Sequence, residues 1–163
     1  MADPQLYELA ERVGQALKAR GLMLVTAESC TGGWVAEAVT SIAGSSDWFE
    51  RGFVTYSNAS KEELLGVSAD TLKEHGAVSE QTAREMAEGA LARAKGTLAL
   101  AITGVAGPGG GSREKPVGTV CFAWADEKKT VVETRHFSGD RESVRRQSVL
   151  RALEGVLEHL GGA

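Results

Sequence analysis

Leu22-Met23-Leu24-Val25-Thr26-Ala27-Glu28-Ser29-Cys30-Thr31-Gly32-Gly33-Trp34 is the stretch whose reading decides the fold. An apolar run stops at Thr26, and a helical pattern begins with Val35. Between them lies a short polar segment with two hydroxyls and two glycines. A strand followed by such a loop and then a helix is the repeating unit of an α/β sheet, and ligands bind such sheets at the carboxyl ends of the strands. A serine at this junction would meet free backbone N–H groups and the positive end of a helix. Those are surroundings that suit a nucleophile.

Upstream, residues 5–20 predict a first helix. Asp3 is placed to cap it and Pro4 suits its first turn, while Leu6, Leu9, Val13 and Leu17 repeat at helical spacing. Residues 22–27 predict the first strand and residues 32–42 the second helix. Trp48 and Phe49 are expected in a short turn, and residues 52–57 in a second strand. Short helices are expected over residues 60–65, with Lys61 in the first turn, and from Ser68. A long one capped by Ser79 is expected to reach Lys95. Residues 97–103 are almost continuously apolar, as in a strand covered on both faces. Residues 104–116 form a glycine-rich loop. Residues 118–125 and 130–137 alternate as a hairpin, and residues 141–160 form a final helix with Val144, Val149, Leu153, Val156 and Leu160 on its apolar stripe. This order predicts one domain over residues 1–163: a three-layer α/β/α sandwich around a mixed, mostly parallel five-stranded sheet. Three loops should then open on one edge: residues 28–33, residues 56–58 with Lys61, and residues 103–108.

The chain has 163 residues, 42% of them hydrophobic, and a formal charge of −4. An acidic balance without a basic block argues against a broad nucleic-acid surface, although Arg141, Arg145 and Arg146 can hold one small phosphate. The two cysteines, Cys30 and Cys121, form no Cys-x-x-Cys, so neither a zinc site nor a disulfide framework is expected. The N-terminal Met1-Ala2-Asp3-Pro4 lacks a signal-like apolar segment, and no apolar run approaches bilayer length, so a cytoplasmic protein with no membrane partner is expected. Trp34, Trp48 and Phe49 suit either internal packing or a homodimer contact.

Ser29 has two readings, a turn residue or a nucleophile. The second needs a base, and none of His75, His136 and His159 lies in the three loops. Lys61 is better placed, either as a solvated lysine or as a base whose charge is removed by burial. Tyr56 can relay or orient a proton. Cys30 is the rival nucleophile or a plain core thiol. Glu28 can hold a ribose hydroxyl or a lysine, or be a surface carboxylate. The loop from Gly104 through Ser112, with Gly107 within it, can cradle a phosphate or an oxyanion, or simply connect strands. It is neither a phosphate-binding loop closed by Gly-Lys-Ser/Thr nor a dinucleotide fingerprint. Thr103 and Gly104 come first after the buried strand and are placed to face Ser29. Arg145 suits phosphate binding or a solvated basic face.

Several ordered motifs carry a resemblance. They are Thr26-Ala27-Glu28-Ser29-Cys30-Thr31-Gly32-Gly33, Gly52-Phe53-Val54-Thr55-Tyr56-Ser57-Asn58 with Lys61, Gly76-Ala77-Val78-Ser79, Thr103-Gly104-Val105-Ala106-Gly107-Pro108, Lys115-Pro116-Val117-Gly118-Thr119-Val120, and Gly139-Asp140-Arg141 with Arg145. Together they span nearly the whole chain and resemble the CinA C-terminal-domain family, in its stand-alone nicotinamide-nucleotide amidase form. The resemblance implies hydrolysis of the carboxamide of nicotinamide mononucleotide to nicotinic acid mononucleotide and ammonia, in pyridine-nucleotide recycling. No metal or cofactor is implied. It also implies Ser29 as nucleophile, Lys61 as base with Tyr56, and a substrate or oxyanion site drawn from Glu28, Cys30, Thr31, Gly32, Thr103, Gly104, Gly107 and Arg145. The alternative is a non-catalytic nucleotide-binding module that works with competence or DNA-damage proteins.

Overall fold

The computed structural model describes residues 3–161, so Met1 and Ala2 of the polar N-terminal stretch lie outside the described part. Six helices and five strands follow in the order α1 (Pro4–Ala19), β1 (Leu24–Glu28), α2 (Trp34–Thr40), β2 (Phe49–Val54), α3 (Asn58–Leu65), α4 (Ala69–His75), α5 (Glu80–Arg93), β3 (Leu98–Gly104), β4 (Thr119–Ala125), β5 (Thr130–His136) and α6 (Arg141–His159). The sheet order is β2-β1-β3-β4-β5, with β1 parallel to both β2 and β3 and with β4 antiparallel to both β3 and β5. Only β4 runs against the others, so β1, β2, β3 and β5 all end on one edge.

Side-chain size sorts the two faces. Leu24, Leu98, Leu100, Ile102, Phe122 and Trp124 point to the face covered by α1, α2 and α6. Val25, Ala27, Ala99, Ala101, Cys121, Ala123 and Ala125 point to the face covered by α3, α4 and α5. The alanine-rich face lets α5 lie close to the sheet. Gly89 of α5 meets α3 so tightly that a Cβ there would sit 1.8 Å from the Leu65 carbonyl oxygen. Both apolar layers are continuous, as the near-unbroken burial of β1, β3 and β4 requires.

Most boundaries fall within one to three residues of the sequence reading, and two differ for identifiable reasons. The second strand runs over Phe49–Val54, three residues earlier than expected. It is an edge strand, so Glu50 and Arg51 tolerate exposure there and hide its pattern, and the 3₁₀ turn Ser45–Asp47 precedes it. Trp48 closes a turn, its N–H donating to Ser45 O at 3.0 Å, while Phe49 begins β2. Trp48 is buried under α1, where a Cβ on Gly14 would fall 2.5 Å from its ring. Trp34 and Phe49 also pack against this core. Helix α3 begins at Asn58 rather than Ser60, because Ser57 caps it and Ser60 closes a reciprocal capping box. Asp3, Ser79 and Asp140 cap α1, α5 and α6 through their side chains.

Candidate active site

The strand directions bring four segments to one edge: the loop after β1, the β2–α3 connection, the glycine loop after β3, and the start of α6. They enclose a cavity of about 300 Å³ lined by Ser29, Cys30, Tyr56, Asn58, Lys61, Ala77, Val78, Arg141 and residues 103–107 with Gly109 and Gly110. Among the described residues, Lys61 and Arg141 are the only charged ones that line it, and no carboxylate does.

Ser29 follows β1 directly, its N–H donating to Ile102 O of the neighbouring strand at 3.0 Å. Lys61 lies one turn into α3 and is 1% exposed. Its Nζ is 3.0 Å from Ser29 Oγ and donates to Thr55 O at 2.8 Å. Burial holds the Lys61 amine below its ordinary 10.5, with a smaller opposing contribution from Cys30. An uncharged amine has two N–H bonds and one lone pair. With the Thr55 carbonyl taking one N–H, the lone pair is free for the serine proton. Sequence reasoning missed Thr55 because it acts through its backbone, which leaves no residue-type signal.

Cys30 also lines the cavity, but burial, and next the nearby Glu28 charge, push its thiol up to about 12. It stays protonated at neutral pH, so it lacks the thiolate a cysteine nucleophile needs. Glu28 is neither on the surface nor in the cavity. It is 1% exposed and accepts from Thr31 Oγ1 at 2.6 Å, Val35 N at 2.9 Å and Ala36 N at 3.1 Å. Its carboxylate therefore occupies the start of α2, and that helix end is not what serves Ser29. Thr31 is fully buried against it, and Gly32 takes a positive φ of 61° so that its N–H can return to Ser29 O. The backbone N–H groups of Cys30 and Thr31 donate to no backbone carbonyl among the described residues.

Thr103 is buried at the end of β3 and donates to Ala77 O at 2.8 Å, fastening the α4–α5 turn to the cavity wall. Gly104 packs against Val120 and Thr119 so closely that a Cβ would meet both within 3 Å. Gly107 offers its carbonyl to Arg141 Nη1 at 2.7 Å. Tyr56 is 62% exposed, and its hydroxyl accepts from Arg141 Nη2 at 2.8 Å. Tyr56 thus sits at the mouth with Arg141, and its hydroxyl bonds neither Ser29 nor Lys61.

The arginines of α6 divide their work. Arg141 reaches the cavity. Arg145, one turn further on, does not line it: its Nε donates to Cys30 O and its Nη2 to Thr31 O, both at 3.1 Å, with the guanidinium 5.4 Å above the Trp34 ring. Arg146 pairs with Asp3. Among the described residues no group of three or more His, Cys, Asp or Glu is arranged to hold a metal, and no helix is long and apolar enough to cross a membrane.

Comparison with known proteins gives one consistent pattern. The chain is 59% identical over 155 residues to nicotinamide-nucleotide amidohydrolase PncC of Escherichia coli K12, covering 94% of each chain. It is 51% identical to the protein of the same name from Pseudomonas putida, over 96% of this chain and 97% of that one. The crystal structure of competence/damage inducible protein CihA from Agrobacterium tumefaciens superposes with a TM-score of 0.93 at 47% identity, covering 98% of both chains. The family model described as the CinA C-terminal domain matches residues 6–160, and with it the whole sheet and every segment of the cavity, so the chain belongs to the CinA C-terminal domain family.

Proposed function

We propose that the protein hydrolyses the carboxamide of nicotinamide mononucleotide, with Ser29 as nucleophile and Lys61 as base. The single observation that carries the reading is the buried contact of 3.0 Å between Lys61 Nζ and Ser29 Oγ, in surroundings whose burial disfavours the charged amine. The relatives that bear the amidohydrolase name supply the substrate. In this reading Lys61 takes the hydroxyl proton as Ser29 Oγ attacks the amide carbon. The tetrahedral oxyanion is met by backbone N–H groups of the loop after β1. Lys61 returns the proton to the nitrogen, the C–N bond breaks and ammonia leaves. Water then attacks the ester and gives its proton to Lys61. The ester C–O bond breaks, Ser29 recovers a proton, and nicotinic acid mononucleotide departs. Arg141, whose donors meet only neutral oxygens at the mouth, is the cation for the phosphate.

The test is ammonia release from nicotinamide mononucleotide, nicotinamide riboside and nicotinamide by the purified chain and its variants. Ser29→Ala and Lys61→Ala are expected to abolish turnover while product still binds. Arg141→Ala is expected to raise KM for the nucleotide about 10- to 100-fold, the weight of one charge-assisted contact, and to leave the riboside unaffected. Undiminished ammonia release by Ser29→Ala removes that residue from the role. A wild-type chain that binds the nucleotide without releasing ammonia sinks the enzymatic reading.

A further inference from the structure

Arg145 is a charged side chain at the site with no evident task toward substrate. It lies outside the cavity, behind the loop that carries Ser29, and donates to two successive carbonyls, Cys30 O and Thr31 O. Its guanidinium is backed by the Trp34 ring. A peptide unit is planar and trans, so its C=O and N–H point in opposite directions. Fixing the Cys30 carbonyl toward Arg145 therefore aims the N–H of Thr31 away from the guanidinium. Other N–H groups nearby are occupied: Gly32 donates to Ser29 O, Trp34 to Thr31 O, and Val35 and Ala36 to Glu28. The Thr31 N–H has no backbone acceptor among the described residues. A positive charge at the carbonyl end of an amide also polarises it and strengthens its N–H as a donor.

We propose that Arg145 is a positioning residue: it clamps the Cys30–Thr31 peptide so that the Thr31 N–H meets the oxyanion formed on the substrate carboxamide. This rests on the amidase reading above and deepens it. The clamp needs a rigid fork spanning two carbonyls, which lysine cannot supply although it keeps the charge. A phosphate contact, by contrast, tolerates a point charge.

The experiment compares Arg145→Lys and Arg145→Gln with wild type on nicotinamide mononucleotide and nicotinamide riboside. It also measures binding of the nicotinic acid mononucleotide product and of a nucleotide carrying an aldehyde in place of the carboxamide, which adds Ser29 to form a tetrahedral oxyanion. Both variants are expected to lose about 10- to 100-fold in kcat on both substrates, up to the loss seen when one oxyanion donor is removed, with KM changed less than about two-fold. Aldehyde affinity should fall by the same factor while product affinity holds, a split that a merely unfolded variant cannot give. The clamp is overturned by a rise in KM confined to the phosphorylated substrate, by Arg145→Lys behaving as wild type, or by parallel loss of product and aldehyde binding. A wild-type chain inert toward the nucleotide overturns the amidase reading, and the clamp with it.

Discussion

At the scale of single residues, the site turns on an amine whose charge is disfavoured by burial. If Lys61 must be neutral to accept the Ser29 proton, activity falls as pH drops through its lowered value. The acid limb of kcat/KM is therefore expected to have its midpoint below 10.5, the ordinary lysine value. Lys61→Arg, which stays charged at any accessible pH, should show no active limb at all. A limb centred at or above the free-lysine value would contradict the assignment. Cys30 makes the complementary case. Its thiol, pushed up to about 12, is spectator packing, so Cys30→Ala is expected to lower kcat less than about ten-fold while Ser29→Ala abolishes it. Iodoacetamide labelling at neutral pH should accordingly leave Cys30 unmodified in the folded protein. What the sequence made legible here was the juxtaposition of Ser29 and Lys61. The fate of Glu28 was hidden, because a carboxylate beside a loop serine looks alike whether it faces the cavity or turns back onto the start of α2.

At the scale of elements, legibility followed burial. Strands β1, β3 and β4 read clearly because burial on both faces leaves apolar runs, and α1, α5 and α6 because their caps and stripes agree. Strand β2 was misplaced because an edge strand need not look apolar, and Glu50 and Arg51 interrupt it. Arg141 and Arg145 share one face of α6 at a spacing of four, so no pattern rule tells which of them reaches the cavity. Only the distance of each from the sheet edge decides it. The contact of α5 with α3 is likewise invisible in sequence, since Gly89 sits mid-helix where glycine is ordinarily a cost. There it gives way to the Leu65 carbonyl. Gly89→Ala should gain about 1 kcal/mol of helix propensity yet lose about 1–3 kcal/mol to overpacking against backbone. A net loss of stability in urea unfolding is expected, and a net gain would show that α5 can shift freely.

At the scale of the whole molecule, the two sheet edges do different work. The carboxyl edge holds the cavity, while the opposite edge ties the β4–β5 hairpin to the end of α6 through His159 and Asp126, 2.8 Å apart. Burial opposes the Asp126 charge. The Lys129 and Lys128 backbone N–H groups and His159 outweigh it and bring the carboxyl down to about 2. A depressed carboxylate stabilises the fold above its unfolded value of 3.8 and ceases to do so as pH falls toward 2. Asp126→Asn should therefore weaken the fold at neutral pH, flatten its acid dependence between those values, and leave turnover at neutral pH unchanged. Lys61 shifts stability with pH in the same direction, but as a cost rather than a gain. The unfolded chain binds its proton more readily than the native one, so its contribution grows more favourable as pH rises toward 10.5 and is most unfavourable below its lowered value. Lys61→Met should raise Tm, and the gap over wild type should widen on acidification. The interior amine thus sets two selections against each other. A library randomised at position 61 and sorted only for folded yield would drift toward aliphatic side chains, whereas the same library sorted on ammonia release would return to lysine, and the disagreement between the two survivors would mark the residue as one the fold tolerates only for its chemistry.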